Sequence, residues 1–197
     1  MYRKFYGLNQ KPFDLSPDGN LVYVSEAHRE AIATLRYGVI SDKGFLMLTG
    51  GVGTGKTTIL NALLTMVKDK VKACVLNNPT LSRHEFYHYL SKKLMINFSG
   101  NKGEFIIQFS SLLARCHAKN EKILLIIDEA QVFPVNLLEE VRLLSNQAGS
   151  RNVLSIFLVG QPELQDILAE PRLLPLRQRI GLRCHLPELT AQDTGNY

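Results

Sequence analysis

The 197-residue chain is 45% apolar and 21% charged, with 23 Lys and Arg against 18 Asp and Glu for a net charge of +5; it can bury a core for one compact domain and is too apolar for a disordered tail. Three widely spaced cysteines, Cys74, Cys116 and Cys184, include no CxxC pair, which excludes a disulfide scaffold and predicts buried thiols in a reducing compartment. No stretch approaches the roughly 18 apolar residues of a membrane span, and Met1-Tyr2-Arg3-Lys4-Phe5 does not lead into a signal peptide's apolar run, so the expected location is cytoplasmic.

The elements follow in chain order. Residues 1–25 carry Pro12, Pro17 and an Asp18-Gly19 turn signal and read as an irregular, aromatic-rich arm. Ser25 caps a helix expected from Glu26 to Ile40, with Ala27, Ala31, Thr34 and Leu35 on one face. Phe45-Leu46-Met47-Leu48 suits a buried strand. A glycine loop follows, then a helix over Lys56 to Val67 and a strand over Val71 to Leu76. Ser82-Arg83-His84-Glu85 is a capping box that opens a helix to Met95. The remaining expectations are a helix over Glu104 to Ala118, a central strand over Ile123 to Ile127 and a helix over Pro134 to Asn146. A strand over Val153 to Val159, a short helix over Pro162 to Ala169 and a last strand over Ile180 to His185 complete the set. Strands alternating with helices imply right-handed crossovers and a five-stranded parallel sheet covered on both faces, an α/β three-layer fold. Ligands in such sheets sit at the carboxyl ends of the strands.

Gly50-Gly51-Val52-Gly53-Thr54-Gly55-Lys56-Thr57 matches G-x-x-x-x-G-K-[ST] at every fixed position, between a predicted strand and a predicted helix, the context of a P-loop. Glycines let the backbone wrap phosphate oxygens, and the helix N-terminus adds positive potential. Lys56 is the candidate for the β- and γ-phosphates and Thr57 for Mg²⁺, with Thr58 completing the nucleotide-binding run. ATP and Mg²⁺ are therefore the expected ligands.

Ile123-Leu124-Leu125-Ile126-Ile127-Asp128-Glu129 ends a buried strand in two carboxylates. Asp128 is the candidate for the Mg²⁺ shell opposite Thr57, and Glu129 for polarising the water that attacks the γ-phosphate. One strand, Val71 to Leu76, intervenes in sequence between the two motifs. That order is the one of P-loop ATPases whose two motif strands are separated by another strand. Val159-Gly160-Gln161-Pro162 ends the fourth strand; Gln161 is expected beside Glu129, orienting water or touching the γ-phosphate. In Leu176-Arg177-Gln178-Arg179-Ile180, Arg179, with Arg177 as the alternative, is the candidate for reaching a neighbouring subunit's γ-phosphate in a ring or filament. His84 and His88 stand four apart on one helix, as metal ligands can, but have no third ligand nearby in sequence, so all five histidines read as surface or packing residues.

The arm segments Phe5-Tyr6-Gly7-Leu8, Pro12-Phe13 and Pro17-Asp18 are followed by His28-Arg29-Glu30-Ala31, Tyr37-Gly38 and the Thr49 to Thr57 loop. Asp128-Glu129-Ala130-Gln131, Leu143-Leu144-Ser145-Asn146, Val159-Gly160-Gln161-Pro162-Glu163-Leu164 and Leu176-Arg177-Gln178-Arg179-Ile180 complete the set. Together they resemble the AAA+ ATPases of the general secretion pathway protein A type (GspA/ExeA-like), over nearly the whole chain. The resemblance implies an ATP-hydrolysing enzyme that forms a homo-oligomeric ring and drives assembly of a secretion or pilus machine, peripheral to the inner membrane through a partner. It also implies that the arm helps close the adenine pocket, around Tyr23 to Arg29. On this reading residues 1–25 are the arm, 26–189 the AAA+ core, and 190–197 the start of a lid. Leu189-Thr190-Ala191-Gln192-Asp193 is the lid's first cap, and the helical lid is expected to be absent or truncated. Two other functions share this core: a DNA-binding AAA+ regulator of the transposition type, and a scaffold that binds ATP with negligible turnover.

Overall fold

Alternation along the strands builds two cores. In β1 (Phe45–Gly50), Phe45 and Met47 enter one apolar cluster while Leu46 and Leu48 enter another, because successive side chains of a strand leave opposite faces. With β2 (Val71–Leu76), β3 (Lys122–Ile127), β4 (Leu154–Gly160) and β5 (Ile180–Leu186), β1 forms a five-stranded sheet in the order β2-β3-β4-β1-β5. The strands β3 and β4 divide in the same way as β1: Leu125, Ile127, Ile156 and Leu158 face one side, and Leu124, Ile126, Phe157 and Val159 the other. Every pairing is parallel. The computed structural model describes residues 24–41, 43–77, 79–149 and 152–196, with Phe5 and Gly7; the rest of the expected arm lies outside the described residues.

One face is covered by α1 (Glu26–Ile40) and α2 (Lys56–Val67), through Ala31, Leu35, Val39, Ile59 and Leu63. The other is covered by α3 (Arg83–Leu94), α4 (Lys102–Ala118), α5 (Val135–Ser145), α6 (Leu164–Ala169) and α7 (Leu174–Arg177). Phe86, Phe105, Leu138, Leu164 and Leu176 fill that layer. Each fully buried side chain of this size contributes roughly 1.5–3 kcal/mol. The sheet therefore stands between two dry layers, and its strand ends emerge as a rigid edge.

Local signals set most boundaries. Ser25 accepts the His28 N–H at the start of α1, and Ser82 and Glu85 form the reciprocal capping box of α3. α4 begins two residues before the expected Glu104, because the Asn101 side chain accepts from Gly103 and Glu104. α7 and a last helix, α8 (Ala191–Asn196), are additions to the expected elements. At the start of α8, Thr190 and Asp193 cap each other, N–H to side chain in both directions at 3.2 and 3.1 Å.

A buried carboxylate ties three helices. Glu140 of α5 accepts from the Tyr87 hydroxyl at 2.5 Å and from Lys102 at 2.6 Å, and pairs with Arg83 at 2.9 Å. Burial pushes the Glu140 carboxyl up, but these donors outweigh it and hold it below its ordinary value. Among the cysteines, Cys74 and Cys116 are buried as expected, while Cys184 is only half-buried on the edge strand β5; all three are free thiols. Burial pushes the Cys74 thiol up to about 11, which suppresses its reactivity. His84 and His88 both lie against the Phe98 ring.

Candidate active site

The sheet order brings three sequence motifs to one edge. β4 lies between β1, which leads into Gly50–Thr57, and β3, which leads into Asp128 and Glu129. The strand that separates the two motifs in space is thus β4, while β2, which intervenes in sequence, is the outer neighbour of β3. In register, Thr49 pairs with Gly160 and Ile127 with Leu158. Gly160 ends β4 two residues beyond Leu158, while the chain leaves β3 after Ile127 to reach Asp128 and Glu129. Two strand spacings put the ends of β1 and β3 about 10 Å apart, on either side of β4.

The loop's carbonyls are held back by its own side chains. Lys56, buried in the first turn of α2, donates from Nζ to the carbonyls of Gly50 and Gly51, each at 2.8 Å. The buried Thr54 hydroxyl also donates to the Gly51 carbonyl, at 2.9 Å. Gly55 has φ +90°, a left-handed conformation that disfavours any side chain, and a Cβ there would come within 2.6 Å of the His28 ring. α2 starts with no side-chain cap, so its first N–H groups are left to an outside acceptor, which suits an anion. Val52 and Thr57 are exposed and Thr58 half-buried beside them. This donor set, rich in N–H and one ammonium, fits polyphosphate.

The acidic pair is set by an irregular turn. The Asp128 N–H bonds the Leu76 carbonyl at 2.8 Å, extending the β2–β3 ladder by one residue. Its carboxylate accepts the Glu129 N–H at 3.0 Å. Burial raises the Asp128 pKa, and the neighbouring Glu129 charge adds to this; the Glu129 N–H and Lys56 oppose it. A half-buried carboxylate at the strand-end gap, disfavoured as an anion, suits a divalent cation that would neutralise it. Asp128 and the exposed Thr57 hydroxyl are oxygen donors of the kind Mg²⁺ takes.

Glu129 adopts φ 52°, the left-handed region, at the head of a short 3-10 turn, Ala130–Val132. A non-glycine residue there is strained by roughly 1 kcal/mol. The turn brings Gln131 back onto Glu129: its Nε2 donates to the carboxylate at 2.6 Å, and its Oε1 accepts the Gln161 N–H at 3.1 Å. Gly160 leaves room for this bridge, since a Cβ there would meet Gln131 Oε1 at 2.5 Å. Gln161 is therefore linked to Glu129 only through its backbone N–H and by way of Gln131.

Two further contacts are not marked in the sequence. His28, expected as a surface or packing residue, is buried and bonds the Thr54 carbonyl of the loop at 3.1 Å. Thr49, buried just before the loop, contacts His185 Nδ1 at 3.1 Å and accepts from Gln165 at 3.4 Å. Nothing in local spacing signals these, because the partners lie on different strands and helices.

Arg177 and Arg179 lie at the opposite edge of the sheet. Ile180 pairs with Phe45, the first residue of β1, about 17 Å along the strand from the loop at 3.3 Å per residue. Neither arginine can reach its own chain's loop. Arg179 donates to Ser145 Oγ at 2.6 Å and to the Arg142 carbonyl at 3.5 Å, at the C-terminus of α5.

A family model described as the AAA domain matches residues 39–168. The chain belongs to the AAA family of ATPases. It is similar to general secretion pathway protein A of Aeromonas hydrophila, 38% identical over 201 residues that cover 100% of this chain and 37% of that protein. The chain thus spans little more than a third of that relative's length. Among solved structures, Cdc6p from Pyrobaculum aerophilum superposes with a TM-score of 0.66 at 17% identity, covering 92% of this chain and 50% of that one. The Aeropyrum pernix ORC2 protein, in ADPNP and ADP complexes, gives 0.65 at 19%, covering 93% and 53%. These likenesses establish the expected P-loop fold of the AAA+ type, and the first relative bears out the resemblance to the general secretion pathway protein A type. Among the described residues, no helix is long and apolar enough to cross a membrane.

Proposed function

We propose that this chain binds Mg·ATP at Gly50–Thr58 and hydrolyses it to ADP and phosphate with Glu129 as general base. One observation supports the reading most: the loop and the two carboxylates emerge from strands that flank β4, with Glu129 held by Gln131. Lys56 and the loop N–H groups hold the β- and γ-phosphates. Asp128 and Thr57 hold Mg²⁺, which neutralises charge on the phosphates. Glu129 takes a proton from water as the water oxygen bonds the γ-phosphorus and the bond to the β–γ bridging oxygen breaks. Gln161 orients the water or the γ-phosphate from the end of β4. Arg179, with Arg177 as the alternative, completes the site of a neighbouring chain in a homo-oligomer.

The 38%-identical relative, named a general secretion pathway protein, supports a role in a secretion or pilus assembly system, through protein partners at the inner membrane. A titration with a fluorescent ATP analogue tests the loop. Lys56→Ala is expected to weaken binding at least about 100-fold, the scale of losing a charge-assisted contact to phosphate. Unchanged affinity would remove the assignment.

A further inference from the structure

His28 is 5% exposed and belongs to none of the nucleotide motifs. It sits in the first turn of α1, yet its ring reaches the phosphate loop of another element. Nε2 lies 3.1 Å from the Thr54 carbonyl, and Nδ1 lies 2.6 Å from the Ser25 hydroxyl. The Thr54 carbonyl can only accept, so this hydrogen bond needs the proton on Nε2, and in that tautomer Nδ1 accepts from Ser25. Ser25 Oγ in turn accepts the His28 N–H at 3.4 Å as the cap of α1. The three groups form one chain of donors and acceptors with a single consistent direction.

The consequence lies in the peptide that His28 grips. In a trans peptide the C=O and the following N–H lie in one plane and point in opposite directions. Holding the Thr54 carbonyl toward the His28 ring therefore turns the Gly55 N–H away from α1. Lys56 and the Thr54 hydroxyl hold the Gly50 and Gly51 carbonyls, and His28 alone among these three brings the hold from outside the loop. The Arg29 side chain bonds the Val24 carbonyl at 3.2 Å, which fixes the chain as it enters α1.

We propose that His28 is a positioning residue for the phosphate loop: its Nε2–H fixes the Thr54–Gly55 peptide so that the Gly55 N–H faces the phosphates of a nucleoside di- or triphosphate, and it ties the loop's shape to the start of α1. This rests on the reading of Gly50–Thr58 as the nucleotide site. Gln places an amide N–H near the position of Nε2, whereas Leu matches the volume and removes the donor.

The full chain is titrated with a fluorescent ATP analogue as wild type, His28→Leu, His28→Gln and Lys56→Ala, with thermal midpoints measured beside it. His28→Leu is expected to bind about tenfold more weakly, the scale of one oriented hydrogen bond, and His28→Gln to return to within about threefold of wild type. The Gly55 amide resonance is expected to shift on adding ATP in wild type and His28→Gln but not in His28→Leu. Equal affinity of His28→Leu and wild type, or a His28→Gln as weak as His28→Leu, overturns the proposal. Loss of binding in Lys56→Ala alone leaves the nucleotide site standing while His28 falls; unchanged binding in Lys56→Ala removes the site reading itself. Should His28→Leu not fold, the ¹⁵N spectrum of the wild-type ring decides: a proton on Nε2 supports the proposal, and a ring protonated at Nδ1 alone contradicts it.

Discussion

Gln131 holds Glu129: its side-chain nitrogen donates to the carboxylate at 2.6 Å, while its oxygen takes the Gln161 N–H at 3.1 Å. The bridge aligns the proposed base with the end of β4, where the γ-phosphate is expected. Gln131→Leu is expected to lower kcat by about 10–100-fold, part of the range general-base catalysis supplies. The analogue's affinity should stay near wild type, because these hydrogen bonds go to Glu129 and Gln161 rather than to the loop. A rise in KM with kcat unchanged would place Gln131 in binding instead.

Gly160→Ala tests the same bridge from below. The added Cβ would meet Gln131 Oε1 at 2.5 Å, so the amide must swing away. Turnover is expected to fall as in Gln131→Leu, and the double variant to be no worse than either single one, the non-additivity of residues acting as a unit. Additive losses would show two separate effects.

Asp128 links stability to pH and metal. Burial raises its pKa in the folded chain, so the folded state binds that proton more tightly than the unfolded one. Its contribution is greatest below the unfolded value and is lost as pH climbs through the raised folded value. At neutral pH, Asp128→Asn is expected to raise the thermal midpoint of the nucleotide-free chain by about 2 °C. It should also abolish the further rise that Mg²⁺ with ATP gives wild type. Scanning calorimetry with and without Mg²⁺ checks both signs.

Glu140 acts in the opposite direction. Its donors hold the folded carboxyl below its ordinary value, so its contribution is present above the ordinary carboxylate range and disappears as pH falls through the folded value. Glu140→Gln is expected to cost about 2 kcal/mol at pH 7, because Lys102 and Arg83 lose their buried acceptor. Urea unfolding at pH 7 and pH 4 checks this; the gap between variant and wild type should narrow at the lower pH.

Much of this fold is legible in the sequence because its signals are local. Ser25, the Ser82–Glu85 box and the apolar run at Ile123 each act within a few residues, and the corresponding elements start within a residue of expectation. The strand-end placement of Gly50–Thr57 and Asp128-Glu129 follows from alternation of strands and helices. Gln131 and His28 are not legible as site residues. Positions two apart do not face each other on an α-helix; only the left-handed Glu129 and the 3-10 turn after it fold Gln131 back. His28 meets Thr54 across 26 residues, a contact that helical periodicity does not encode. The contact of the exposed Arg179 with Ser145 likewise depends on packing of α7 against α5.

The central claim is that Glu129 activates water at a site that binds Mg·ATP without it. Phosphate release by Glu129→Gln, measured beside the ATP retained per chain, tests it most directly. The account predicts one ATP held per chain with affinity near wild type and release slowed at least about 100-fold, the lower range for loss of a general base. Release at the wild-type rate with ATP bound would contradict it.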